Sequence, residues 1–244
     1  MKILCMLPAG KGVYPPEAEE RRLAVMRSYT TASTQIDAEY MPGVSGFSPW
    51  GQAGRRDPKV TAEHMLTAAE LSAQLAVKAE RDGYDAFCPF GTLDVGVREA
   101  RALVRIPVVG QSEACFLYCA MLDRPFAACT YMPGDEERMR TWAHDAGAGQ
   151  LLAAHTAIGI PNSEYPQRRQ ELLDRFVECT REARTAGAEL MGLVAMSICP
   201  VEYSAKELSE ASGFPVLDAV AAQIAMAEWW HRTGLPPSLL RLPR

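Results

Sequence analysis

The chain has 244 residues, 48% of them hydrophobic and 23% charged, with a formal net charge of −5. That is enough for one large core or two small ones, in the composition of an ordinary globular protein. The acidic balance argues against a nucleic-acid surface, and no Lys/Arg run suggests an anionic membrane partner.

The opening MKILCMLPAGKG carries an apolar run too short for a secretory segment or a membrane span. Lys2 to Pro8 reads instead as a buried strand, leading into the turn Ala9-Gly10-Lys11-Gly12, which lacks the Lys-Ser/Thr ending of a P-loop. Glu17 to Thr30 has the period of an amphipathic helix, and Gln35 to Met41 follows as a second strand. The Gly/Pro/Ser-rich stretch Gly43 to Asp57, with Phe47 and Trp50, reads as a loop that caps a pocket or is pinned by its own aromatics.

Lys59 to Arg81 is a long helix closed by Asp82-Gly83. Tyr84 to Ala114 is then one βαβ crossover: a strand ending at Gly91, a helix from about Val95 to Arg105, a strand Ile106 to Gly110, and a further helix from Ser112 to Leu122. Phe126 to Tyr131 is a strand, Pro133-Gly134-Asp135 starts a helix, Leu151 to Ile158 is a strand and Gln167 to Ala186 a helix. Glu189 to Ala195 (strand), Ser204 to Ser212 (helix), Pro215 to Asp218 (strand) and Ala219 to His231 (helix) complete the alternation.

Eight strands alternating with helices predict an α/β protein. Tyr84–Gly110 and Gly187–Asp218 share one plan, down to the strands IPVVG and FPVLD. A (β/α)8 barrel also accommodates eight βα units, but the repeat favours two similar halves, each a four-stranded parallel sheet flanked by helices. The halves are expected at 1–112 plus 219–244 and at 113–218, with a cleft between them. The seven cysteines are odd in number and mostly sit in apolar patterns, as reduced thiols of a cytoplasmic protein do. None has zinc-ligand spacing, so no metal is expected. Ligands of parallel sheets lie outside the strands' carboxyl ends, which directs attention to Gly91-Thr92 and Gln111-Ser112-Glu113.

DAFCPFGTLDVGVREARALVRIPVVGQSEA resembles the central block of the aspartate/glutamate/hydantoin racemase superfamily, and GAELMGLV with FPVLDAVAAQIAMAE resembles its second block. The resemblance covers the C-terminal two-thirds; the N-terminal third shares only the strand-helix order. It implies two α/β halves, no cofactor, and a small carboxylate, amide or hydantoin held in the cleft as small-molecule substrate; a homo-oligomer is also expected. The family's chemistry uses one cysteine from each half, one thiolate taking the proton from a carbon alpha to a carbonyl and the other thiol returning it.

Counted back from IPVVG, the family's first cysteine falls on Gly91. The second falls on Ala195 when counted from GAEL, or close to Cys199 when counted from FPVLD. The internal repeat favours Cys199, which is expected to be exposed to the cleft near a positive helix end. Cys88 is read as a core thiol on the opposite sheet face. Glycine at the first position, followed by Thr92, is similar to arylmalonate decarboxylase of the same superfamily, where a single thiol protonates an enediolate held by hydroxyls and amides.

The catalytic candidates are Cys199, Thr92 and Tyr131, with His155 as an alternative base. Pro8, Gly91, Thr92, Ser112, Glu113, Thr130, Tyr131 and Ser197 are expected to bind substrate; helix capping is the competing reading for the hydroxyls, and the stronger one for Ser112. Asp218 is read as a cap of the following helix, and His64, His144 and His231 as solvent-facing. An isomerase or racemase acting through an enolate-like intermediate is expected. A one-thiol lyase or decarboxylase, a hydrolase and a non-catalytic binder are the alternatives.

Overall fold

The computed structural model describes residues 1–7, 16–31, 33–41, 62–91, 94–131 and 133–235, the side chains of 62–65 and 163 excepted. The chain divides into two compact units, 1–111 with 223–244, and 112–222.

The first unit is built on β1 (Lys2–Leu7), β2 (Gln35–Tyr40) and β3 (Ala86–Pro89), parallel and in the order β2-β1-β3. β1 is central and buried from Ile3 to Leu7, so its sequence is apolar without alternation; in the edge strand β2 only Ile36 is buried. The helices are α1 (Pro16–Ser28), α2 (Ala62–Arg81) and α3 (Val97–Leu103). Proline at the first position of α1, with Glu17 and Glu19 in its first turn, suits a helix start. Two helices, α4 (Gln111–Leu122) and α8 (Ala219–Thr233), straddle the boundary between the units.

The second unit repeats the plan with β4 (Phe126–Thr130), β5 (Leu152–Ala157) and β6 (Leu190–Val194), parallel in the order β5-β4-β6. β4 is wholly buried, as expected of a central strand. The helices are α5 (Glu136–Asp145), α6 (Arg169–Thr185) and α7 (Ala205–Ser212). α6 turns Leu172, Phe176, Cys179 and Ala183 inward at helical spacing, onto a core that includes Cys129, Val194 and Cys199.

The α/β class with two similar parallel sheets holds, but each named sheet has three strands rather than four. The expected fourth strands shrink to single parallel bridges, Phe87↔Val108 and Met191↔Val216. The first case has a clear cause. Phe87 donates to Pro107 O at 2.8 Å and accepts from Val109 N at 3.1 Å. The next rung needs an N–H from residue 89, and Pro89 has none. The side-chain amide of Gln223 replaces it, donating to Val109 O at 2.7 Å and to Pro89 O at 2.9 Å. No helix among the described residues is long and apolar enough to cross a membrane.

Candidate active site

In the first unit the carboxyl end of β3 continues through Phe90, whose N–H reaches Met6 O at 3.0 Å, to Gly91. Gly91 has φ 123, on the positive side that L side chains rarely adopt. Its N–H donates to Oε1 of Gln111, the fully buried first residue of α4, at 3.0 Å. Asp94 then turns the chain with φ 44, which a short acidic side chain tolerates. Its carboxylate lies against Gly110, where an added Cβ would come within 2.5 Å of Oδ2. Gly91, Asp94, Gly110 and Gln111 thus form one strand-end cluster. Of these, Asp94 was missed by the sequence reading. Its signal was its place in the turn after Gly91. Gln223 carried no local signal, lying 134 residues from Pro89.

Pro8 and Thr92 lie outside the described residues, as do Ala9 to Gly12 and the loop carrying Phe47 and Trp50. Ser112 is buried one residue inside α4, and Glu113 is partly buried in its first turn, where a carboxylate suits the helix dipole.

In the second unit Thr130 and Tyr131 stand side by side where β4 ends. Their carbonyls accept from Ile158 N at 3.0 Å and Gly159 N at 2.8 Å. Thr130 is 1% exposed, and its Oγ1 is 2.9 Å from Nε2 of His155. The other imidazole nitrogen, Nδ1, is 3.5 Å from Oε1 of Glu136 at the start of α5. Burial pushes His155 below the usual histidine range, against the upward pull of the Glu136 and Asp135 carboxylates. Glu136 is itself lowered, mainly by backbone amides at the helix start, with His155 adding to the effect. Tyr131 is partly buried and packs on the core of the unit. His144 is solvent-facing, as expected, and so is His231; the side chain of His64 is outside the described set.

Beyond β6 the N–H of Ala195 still bonds Cys129 O at 3.0 Å, so Ala195 is the last residue on the sheet. The chain then coils through Ser197, which is partly buried, to Cys199, whose N–H returns to Ala195 O at 3.1 Å. Cys199 therefore sits one turn past the sheet end. Gly91 directly follows the last sheet-bonded residue of its unit, Phe90, whereas Cys199 is four residues beyond Ala195. The extra residues of the second unit fall in this coil.

Cys199 also departs from its expected surroundings. It is 0% exposed, and burial first, then the carboxylates of Asp218 and Glu207, push its thiol well above the ordinary range. It is a core thiol beside negative charge, not an exposed thiolate at a positive helix end. The coil after it is held down by Tyr203, whose hydroxyl donates to Arg169 O at 2.7 Å beneath the Arg169 guanidinium. Asp218 caps α8, as expected, accepting from Val220 N and Ala221 N at 3.0 Å each. Cys88 is buried and raised by desolvation, as a core thiol should be.

Among the described residues no group of three His, Cys, Asp or Glu side chains is arranged to hold a metal ion. A surface groove of about 470 Å³, lined by Leu173, Asp174, Val177, Arg181 and Ala211, is built from α6 and α7 and contains none of the strand-end residues.

The model of the Asp/Glu/hydantoin racemase family matches residues 23–227. A hydantoin racemase of Rhizobium meliloti is 30% identical over 171 residues, 68% of each chain. Among solved structures, allantoin racemase from Klebsiella pneumoniae superposes with a TM-score of 0.79 at 21% identity, covering 100% of this chain and 94% of that one. Arylmalonate decarboxylase follows with a TM-score of 0.60 at 15% identity, covering 95% and 92%. At these identities the two structures establish the shared fold.

Proposed function

Because this chain belongs to the Asp/Glu/hydantoin racemase family, and so to a family of isomerases, we propose that it moves a proton at the carbon alpha to a carbonyl. The substrate class is a hydantoin or an amino-acid-type carboxylate or amide. The reaction is cofactor-independent and passes through an enolate-like intermediate. The observation that carries this reading is the 30% identity to a hydantoin racemase across two-thirds of both chains.

The family's pair of thiols has no counterpart at Gly91 or Ala195. Proton transfer therefore falls to other groups, while strand-end amides and hydroxyls hold the developing negative charge. Substrate contacts are proposed for Pro8, Gly91, Thr92, Ser112, Glu113, Thr130, Tyr131 and Ser197, all at or near strand ends in the sequence. A second reading, a single-thiol decarboxylase with Cys199 as proton donor, is favoured by glycine at position 91. The burial of Cys199 beside two carboxylates weighs against it.

The test is to incubate single enantiomers of 5-substituted hydantoins and of α-substituted carboxylates with the protein in D2O. Optical rotation and deuterium content are then followed together. The expected outcome is decay of rotation with deuterium entering at the alpha carbon. Release of CO2 would favour the lyase and ring opening a hydrolase. Unchanged rotation with no deuterium in any compound would overturn the reading and leave a binder.

A further inference from the structure

We propose that the outer face of α4 is a two-fold interface at which this chain pairs with a second copy of itself, the two helices lying antiparallel.

α4 packs inward through Phe116 and Cys119. The Phe116 ring centroid is 5.6 Å from that of Phe126 on β4. Cys119 lies against Gly192 of β6, where an added Cβ would come within 2.5 Å of its Sγ. A helix laid on a sheet in this way turns its opposite face to water, and that face is ordinarily polar. In the second unit α5 and α6 obey the rule: their exposed residues, Glu137, Arg140, Asp174 and Arg181 among them, are polar or charged throughout.

α4 reverses it. Its exposed residues are Leu117, Tyr118, Met121 and Leu122, and no charged residue stands between Glu113 and Asp123. Among the described residues of the second unit, these four are the only exposed large hydrophobic side chains. Scattered exposed apolar residues are ordinary. Four within two turns of one helix, Met121 being 73% exposed, make a contiguous patch of the kind that marks an interaction surface.

The ends of the helix identify the occupant. Glu113, Leu117 and Met121 follow one another at helical spacing, and Arg124 comes just past the last turn. The apolar stripe thus has a carboxylate at one end and a guanidinium at the other. Arg124 is exposed and already steadied by Glu189 at 3.1 Å, and its five donors can serve a second carboxylate as well. Antiparallel pairing about a two-fold axis near Tyr118 brings each Glu113 to the other copy's Arg124. The four apolar side chains of one copy then cover the same four of the other, and the helix dipoles oppose. Parallel pairing would instead set like charges together at both ends. An apolar centre with a charged rim, used twice, is the layout of a homodimer interface.

The experiment is sedimentation equilibrium of the wild-type chain and of surface variants, from about 1 to 100 μM. The wild type is expected to reach the mass of two chains, or a multiple of it, and to dissociate on dilution. Met121→Glu should raise the dissociation constant by about 100-fold or more. Its circular dichroism should be unchanged, since so exposed a side chain does little for the fold. Arg124→Glu and Glu113→Arg should each weaken pairing, and the two together should restore it, as antiparallel self-pairing requires. Mass alone is read, because Glu113 is also a proposed substrate contact. A wild type that stays monomeric at about 100 μM would leave the face to a different protein and overturn the proposal. An assembly whose mass Met121→Glu leaves unchanged would put the interface elsewhere on the chain and overturn it too. A double variant no better paired than the single ones would overturn the antiparallel pairing.

Discussion

Gln223 supplies the hydrogen bond that Pro89 cannot make. Its amide donates to Val109 O at 2.7 Å, where the next rung of the ladder would otherwise take the N–H of residue 89, and to Pro89 O at 2.9 Å. Gln223 is fully buried, so neither carbonyl has water as a ready substitute. Gln223→Leu keeps the volume and leaves two buried acceptors without this donor. A loss of about 2–4 kcal/mol in unfolding free energy is expected, at one to two per orphaned group. Urea denaturation checks it; a loss under about 0.5 kcal/mol would mean the sheet edge finds other donors.

Counted back from IPVVG, Gly91 is the position the resemblance assigns to the family's first thiol, and its φ of 123 makes it costly for any L side chain. Gly91→Cys is expected to lose about 1–3 kcal/mol, and Gly91→Ala about the same, because the backbone and not the thiol sets the cost. Equal losses in the two variants by chemical denaturation support this. Wild-type stability in both would mean that the backbone relaxes to negative φ.

The uninterrupted apolar run of β1 marked it as a buried strand, because burial on both faces writes itself directly into sequence, and the IPVVG and FPVLD pair revealed the repeated plan. The fourth strands were over-read for a related reason. Ile106 to Gly110 is apolar enough to be buried, but the missing N–H of Pro89 on the neighbouring strand cuts the ladder after one bridge. The interval that matches Cys199 with Gly91 runs through coil as well as strand, and the extra length of the second unit lies in the coil after Ala195. The Thr130–His155 contact joins residues 25 apart. It depends on the register of two parallel strands, which no local spacing encodes.

Cys199 offers a sharp chemical check on its environment. Its thiol is fully buried and pushed up by desolvation and by Asp218 and Glu207, so little thiolate forms at neutral pH. Native protein at pH 7.5 to 8.5 is expected to alkylate at Cys199 at least about ten-fold more slowly than a free thiol of pKa about 8.5. Peptide mapping by mass spectrometry reads the rate. Rapid labelling with a midpoint below about 7.5 would instead mark an accessible thiolate and revive the one-thiol reading.

The start of α7 ties stability to pH. The hydroxyl of Ser204 accepts from Glu207 N at 3.2 Å, and the Glu207 carboxylate accepts from Ser204 N at 2.7 Å, closing a capping box. The Ser204 amide first, and its hydroxyl second, hold Glu207 below the usual carboxylate range. The folded-state value is depressed, so the contribution is fully present above the unfolded value of about 4.3 and is lost as pH falls through the folded one. Ser204→Ala breaks the hydroxyl half of the box and is expected to cost about 1 kcal/mol at neutral pH. The same variant should lose less than wild type between pH 5 and pH 3, since less of the carboxylate's advantage remains to be titrated away. Thermal melts of the two proteins at several pH values decide it. Parallel pH profiles would mean that Ser204 caps the helix without holding the charge of Glu207.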